Sequence, residues 1–327
     1  MRRYLARRLL LVIPTVLGVT IIIFIAMRLL PGDPLVAIFG LEGARRMTPE
    51  QRTHLEQALG LRDPFVVQYG KWLRDIGAGE FGKSLLRGDS VTQFVLRRGP
   101  ITLEIAVLAT LFSWMVGFPV GIISALRPNS RMDYASRMFS ILFVAIPGFW
   151  LGLVVVLALI LWFDYKAPIL PVYPWEDPWK NLQMVAGPGL VLGLGFAGFV
   201  ARMVRSSLLE VIQEDYVRTA RAKGLREQLV IVRHALLNAI LPVITWSSLF
   251  LGVALGGSVA VEKAFGVPGL GLTMIDAILD RDLPVVQNLV LLYAVVFVVV
   301  NLITDMSYAW LDPRIRYDED RPAKHPV

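Results

Sequence analysis

Two glycine-rich stretches of this 327-residue chain have the spacing to hold phosphate. Gly77-Ala-Gly-Glu-Phe-Gly82-Lys83-Ser84 satisfies G-x-x-x-x-G-K-[ST], the loop whose backbone N–H groups and lysine cradle a nucleotide. Gly193-x-Gly195-x-x-Gly198 has the spacing of a dinucleotide turn. Four carboxylates, Glu104, Asp276, Asp282 and Asp305, lie within or beside long apolar runs, where an ionisable group is costly to bury and often functional. Metal ligation is disfavoured, because His54, His234 and His325 are scattered and no cysteine supports them. Zero cysteines also exclude disulfides and thiol chemistry. No Ser/His pair, His-Glu-x-x-His or placed carboxylate pair points to an enzyme.

Context decides what these stretches can do. A phosphate loop needs a buried strand before it and a helix after it. Here Tyr69 to Ile76 reads as an amphipathic helix and Gly88 interrupts the chain soon after Ser84, so the Gly77–Ser84 stretch reads as a turn. The Gly193–Gly198 match sits inside an apolar run, where close helix packing is the reading. Glu104 and Asp305 fall near the ends of such runs and either reach interfacial water or line a pathway. Asp276 and Asp282 precede the last run and could meet a delivery protein or a substrate amine.

The elements that position these residues are membrane spans. The chain is 55% hydrophobic, only 18% charged and has a mean hydropathy of +0.60, too apolar for an ordinary soluble domain. Six runs are long enough for a core of about 30 Å at about 1.5 Å per residue. They are Leu9–Leu30, Ile101–Leu126, Met138–Phe163, Leu182–Met203, Ile240–Val261 and Val285–Trp310. Each of the middle four carries a Gly-x-x-x-Gly pair (Gly117/Gly121, Gly148/Gly152, Gly189/Gly193, Gly252/Gly256), which lets helices approach closely. The net charge of +7 is placed for topology rather than nucleic acid. Arg2, Arg3, Arg7 and Arg8 precede the first run, and Arg127, Arg131, Arg137 and the Arg202–His234 segment mark two further basic loops, which places both termini inside. The first run is long for a cleaved signal peptide, and no small-x-small site comes after it. Pro31 to Pro100 is then an extracytoplasmic segment, with a short helix expected from Thr48 to Leu59 and stopped by Gly60. The loop with Tyr173, Trp175 and Trp179 suits the headgroup zone.

One stretch between apolar runs, Asp215 to Pro242, is polar, basic and helical in pattern. Ser207 with Glu210 reads as a capping box that starts a helix running to Gly224. Leu229, Val232, Leu236 and Ile240 then form the apolar stripe of a second helix. Small side chains at Ala220, Ala222 and Gly224 would let another protein approach the backbone.

Thr219-Ala220-Arg221-Ala222-Lys223-Gly224, with His234, Asn238 and Pro242 beyond it, resembles the signature of ABC-importer permeases of the dipeptide, oligopeptide and nickel type. Arg218 and Thr219 stand where the wider family has Glu and Ala, and Gly224 to Pro242 is longer than in sugar permeases; both departures resemble the peptide branch. Pro31-Gly-Asp-Pro34, the Gly79–Ser84 turn, Phe265-Gly-Val-Pro-Gly-Leu-Gly271, Asp276, Arg281-Asp282 and Leu311-Asp-Pro-Arg-Ile-Arg316 extend the resemblance from roughly Arg7 to Tyr317.

The resemblance implies an all-α, six-helix type-1 permease fold. Its parts would be an N-terminal transmembrane helix (1–30), a small extracytoplasmic subdomain (31–100), a five-helix core (101–311) with a coupling segment near 207–238, and a cytoplasmic tail (312–327). It implies contact with ATPases through Asp215, Tyr216, Thr219, Ala220, Ala222, Lys223 and Gly224. The expected partners are a second homologous permease, two cytoplasmic ABC ATPases, an extracytoplasmic solute-binding protein and the lipid bilayer, with no nucleic acid. The chain would bind no cofactor and catalyse nothing, with ATP and Mg on the partner subunits. A bacterial or archaeal cytoplasmic membrane is implied, with peptides as cargo and nickel or another small solute as the alternative. Composition alone equally allows an ion-coupled secondary transporter, but its internal repeats and mid-membrane ion-binding carboxylates are not seen.

Overall fold

The computed structural model describes residues 2–29, 34–58, 60–164, 166 and 170–311. Pro31, Gly32 and Asp33 of the Pro-Gly-Asp-Pro motif, and the 312–316 motif with the whole tail, lie outside the described residues. Among the described residues the chain is helical apart from turns, connecting segments and one isolated bridge between Lys83 and Ser90.

α1 (Arg2–Leu29) carries the first apolar run, with Pro14 inside it. Three short helices come next: α2 (Pro34–Arg46), α3 (Pro49–Ala58) and α4 (Phe65–Gly77). At the start of α3 the Thr48 hydroxyl accepts from Gln51 N–H at 3.2 Å and the Gln51 side chain accepts from Thr48 N–H at 3.0 Å, a reciprocal cap that fixes the helix start. α4 seats on α1: Tyr69 and Trp72 pack on Phe24, the Tyr69 and Thr20 hydroxyls are 2.8 Å apart, and Arg28 donates to Gln68.

The remaining helices are α5 (Val91–Leu126), α6 (Arg131–Ala145), α7 (Gly148–Phe163), α8 (Pro178–Ile212), α9 (Asp215–Ala222), α10 (Glu227–Leu229), α11 (Leu237–Phe265), α12 (Leu270–Leu279) and α13 (Leu283–Leu311). A π-helical stretch, Val230–Leu236, joins α10 to α11, so one continuous helical segment spans Glu227–Phe265. Among the described residues five segments are long and apolar enough to cross a bilayer, in α1, α5, α8, Glu227–Phe265 and α13.

The third expected span differs. Met138–Phe163 falls on two shorter helices, α6 and α7, bent by 96°, which taken together make a sixth apolar span. Pro147 is the cause: the residue before a proline is driven out of the helical region, and Ile146 takes an extended conformation at ψ 122. Pro147, itself extended at ψ 129, is the N-cap from which α7 starts at Gly148.

α5 and α8 form the most extensive helix pair, made possible by missing side chains. A Cβ on Gly117 would lie 2.9 Å from the Ala197 carbonyl oxygen, and one on Gly121 2.6 Å from that of Ala201. Packing of this kind associates helices in lipid, where apolar burial alone gives little driving force. Gly256, by contrast, faces open space, so its pair with Gly252 is not a close-packing seam on both members. The main core forms where α5, α8 and α11 meet, around Ile105, Met184, Val185 and Phe265.

The expected capping box at Ser207 is also corrected. α8 runs unbroken to Ile212, because Val200, Val204 and Leu208 continue its buried face past Ser207. The break comes at Glu214, extended at ψ 146, from which α9 begins.

Candidate functional site

The α9 segment is a short amphipathic helix held from one side. Val217 is fully buried and Ala220 nearly so, packed with Val230 and Val211. Asp215, Tyr216, Thr219, Ala222, Lys223 and Gly224 are exposed. Ala220 thus faces inward, and the small residues open to an approaching surface are Ala222 and Gly224. Gly224 has φ +76, the left-handed conformation that ends the helix, and its N–H donates to the Arg221 carbonyl at 2.9 Å. The turn is braced. Arg221 donates from Nη2 and Nε to the Glu227 carboxylate at 2.8 to 3.2 Å, and that acceptor raises the arginine pKa above its ordinary value. Asn238 Nδ2 donates to the Tyr216 hydroxyl at 3.1 Å, tying α9 to α11.

The stripe expected beyond the turn is replaced by another. Val230, Ala235, Ala239 and Val243 are buried, whereas Leu229 and Val232 are exposed. The π-helical stretch explains the difference: its wider turn puts residues five apart on one line, so Val230 aligns with Ala235. Leu229 and Val232 are left on the surface beside α9.

A carboxylate the sequence did not single out ties the same end of the bundle together. Asp133 at the start of α6 is fully buried and accepts from Ser124 Oγ at 2.6 Å, Asn129 N–H at 2.9 Å, Arg205 Nε at 2.8 Å and Arg137. It joins α5, α6 and α8. Asp133 and Arg137 are spaced as a helical ion pair, the one signal available in sequence.

The other carboxylates are dispersed. Glu104 is half-buried in α5 and accepts from Asn181 Nδ2 at 2.9 Å. Asp276 pairs with Lys263 at 3.0 Å. Asp282 is buried and accepts from the Ser84 hydroxyl and from Leu85 N–H. Asp305 falls within α13, with its side chain outside the described residues.

The Asp282 contacts also show what the Gly77–Ser84 stretch does in this fold. The segment comes after α4 rather than a strand, and Ser84, the hydroxyl a phosphate loop would offer to a metal, is turned onto Asp282. Gly193 and Gly198 likewise sit inside α8, pressed against α5 and α6.

Glu262, near the end of α11, is a second carboxylate that the sequence does not single out. It is fully buried and accepts from Thr102 Oγ1 and Ser258 Oγ at 2.9 Å each and from Leu272 N–H at 3.1 Å. It therefore fastens α12 to α11 and α5. Gly269 and Gly271 nearby are the available sequence signal, since a Cβ on Gly269 would lie 2.3 Å from the Glu262 carboxylate.

A multi-pass helical bundle with a short exposed helix held between α8 and α11 is the architecture of a type-1 ABC-importer permease. Residues 117–317 match the family described as binding-protein-dependent transport system inner membrane component, and residues 1–106 match the N-terminal region described for the same transport systems. The chain belongs to this family. It is 38% identical over 321 residues to the oligopeptide transport system permease protein AppB of Bacillus subtilis, covering 97% of this chain and 100% of that protein. It is 36% identical over 342 residues to the dipeptide transport system permease protein DppB of Alkalihalophilus pseudofirmus, with 97% and 100% covered. Its fold is similar to that of a chain in the inward-facing MetNI methionine ABC transporter, with a TM-score of 0.55 and 19% identity over 68% of this chain and 97% of that one.

Proposed function

We propose that this permease forms half of the translocation pathway of an ATP-driven peptide importer. The observation that carries the mechanism is the seating of α9: Val217 and Ala220 hold one face against the bundle while Asp215, Tyr216, Thr219 and Lys223 remain open. A partner that engages the open face moves α9, and through Val211 and Val230 it moves α8 and α11 with it. Two cytoplasmic ABC ATPases, carrying the ATP and Mg, are that partner; this chain hydrolyses nothing itself. A second homologous permease completes the pathway, and an extracytoplasmic solute-binding protein delivers the cargo. Coupling requires that the ATPases bind the inward- and outward-open states with different affinity. The names of the full-length relatives support di- or oligopeptides as cargo.

The basic loops around Arg127–Arg137 and α9 support a cytoplasmic location for that end of the bundle and for both termini, and the family supports a bacterial or archaeal inner membrane as its setting. α2–α4 are then extracytoplasmic, with the partly exposed Asp276 on the side a delivery protein would approach; Asp282, buried against Ser84 and Leu85, does not reach that surface.

The test is reconstitution of the permease with its co-purifying subunits in proteoliposomes, measuring ATP-dependent uptake of a labelled dipeptide, a longer peptide and nickel. Peptide uptake that needs every subunit is expected; uptake of nickel alone overturns the peptide assignment. A reporter fused after Gly82 should read as extracytoplasmic and one after Arg226 as cytoplasmic.

A further inference from the structure

On the α9 side of the bundle a cleft of about 570 Å³ lies between α6 and α8. Its walls are chemically divided. Arg137, Arg202 and Arg205 line it together with Ser140, and Ile141 and Val144 supply an apolar flank. The three guanidinium groups face a single carboxylate: Arg137 and Arg205 share Asp133, while Arg202 has no acidic partner among the described residues and only rests over the Phe199 ring at 5.2 Å. The cleft is thus two positive charges in excess. Ile141 and Val144 of the lining are exposed, as are Met138 and Leu142 on the same helix. An apolar rim of this kind is unfavourable beside water and favourable beside acyl chains.

We propose that this cleft binds an anionic phospholipid from the leaflet on the α9 side, its phosphate on Arg202 and Arg137 and one acyl chain along Ile141 and Val144. A basic pocket between spans, open to an apolar flank, matches the two chemistries of such a lipid in one place. Arg202 is the anchor because its charge is uncommitted. Arg137 and Arg205, already fixed by Asp133, hold a pre-formed geometry that a head group can enter without reordering them. The bound lipid bridges α6 to α8 beside the stretch that leads into α9. The site does not depend on what the importer carries.

The permease is purified with the subunits that accompany it, stripped of lipid and titrated with phosphatidylglycerol or phosphatidylcholine, with bound lipid counted by native mass spectrometry. Phosphatidylglycerol should be preferred, and Arg202→Gln should weaken it about fivefold, the factor for one cation at an anionic lipid surface. Arg202→Lys should restore most of the binding. Val144→Trp, which fills the acyl flank, should weaken both lipids, and excess inorganic phosphate should not displace phosphatidylglycerol. Equal binding by Arg202→Gln and the unmodified protein overturns the site. Displacement by free phosphate alone overturns the lipid assignment. A photo-crosslinker at Ile141 should label lipid; an adduct with a second permease in its place also refutes the proposal.

Discussion

Arg205 and Asp133, 72 residues apart in sequence, meet through two hydrogen bonds, Nε to Oδ1 at 2.8 Å and Nη2 to Oδ2 at 3.1 Å. The pair fastens α8 to α6 beside the loop that leaves α5. Replacing Asp133 by Asn leaves two arginines without their counter-charge at a buried position. Losing one partner of a buried pair costs about 3–5 kcal/mol, reduced here toward about 2 kcal/mol because Arg137 is partly exposed. The melting temperature of the detergent-purified protein should fall, and Arg205→Gln added to Asp133→Asn should cost little more. An additive double variant means that the pair does not act as a unit.

Gly224 is expected to be the stop of the coupling helix. At φ +76 a branched side chain is strained by about 1–3 kcal/mol, although a Cβ there meets no neighbouring atom. Gly224→Val should therefore insert normally while ATPase co-purification and uptake both fall. Normal assembly and transport by that variant would show that α9 is not the docking element.

Lys83 and Ser84 should separate cleanly. Lys83 is exposed and its side chain has no partner among the described residues, so Lys83→Ala should leave ATP hydrolysis and uptake of the assembly unchanged. Ser84→Ala removes the buried hydroxyl that serves Asp282 and should destabilise the protein by about 1–3 kcal/mol. Loss of nucleotide binding in Lys83→Ala would restore the phosphate-loop reading.

Glu262→Gln puts an amide NH2 where a carboxylate oxygen accepts. Turned one way it confronts the Leu272 N–H; turned the other it confronts the Thr102 and Ser258 hydroxyls, both of which donate to the native carboxylate. One unsatisfied buried group costs about 1–3 kcal/mol. Thermal unfolding should shift down, and limited proteolysis between α11 and α12 should accelerate. Unchanged melting and unchanged cleavage at that junction would leave Glu262 without the role of a fastener.

Local and periodic features were legible before any contact was known. Composition and run length determined a helical membrane bundle, because a bilayer demands apolar stretches of one length and internally satisfied backbone. Thr48 and Gly60 bound α3 because caps act within one turn, and a helix ahead of Gly77–Ser84 is incompatible with a phosphate loop there. Tertiary structure decided the rest, for identifiable reasons. Pro147 marks a breaking point in sequence, but only the neighbours of α6 and α7 set the bend at 96°. The buried face of the segment after Gly224 changed register because a π-helical turn shifts the 3.6-residue count on which a sequence stripe depends. Nothing in the sequence singles out Asp133 or Glu262, since each draws its meaning from donors on other helices, Arg205 for one and Thr102 for the other, that only folding brings within 3 Å.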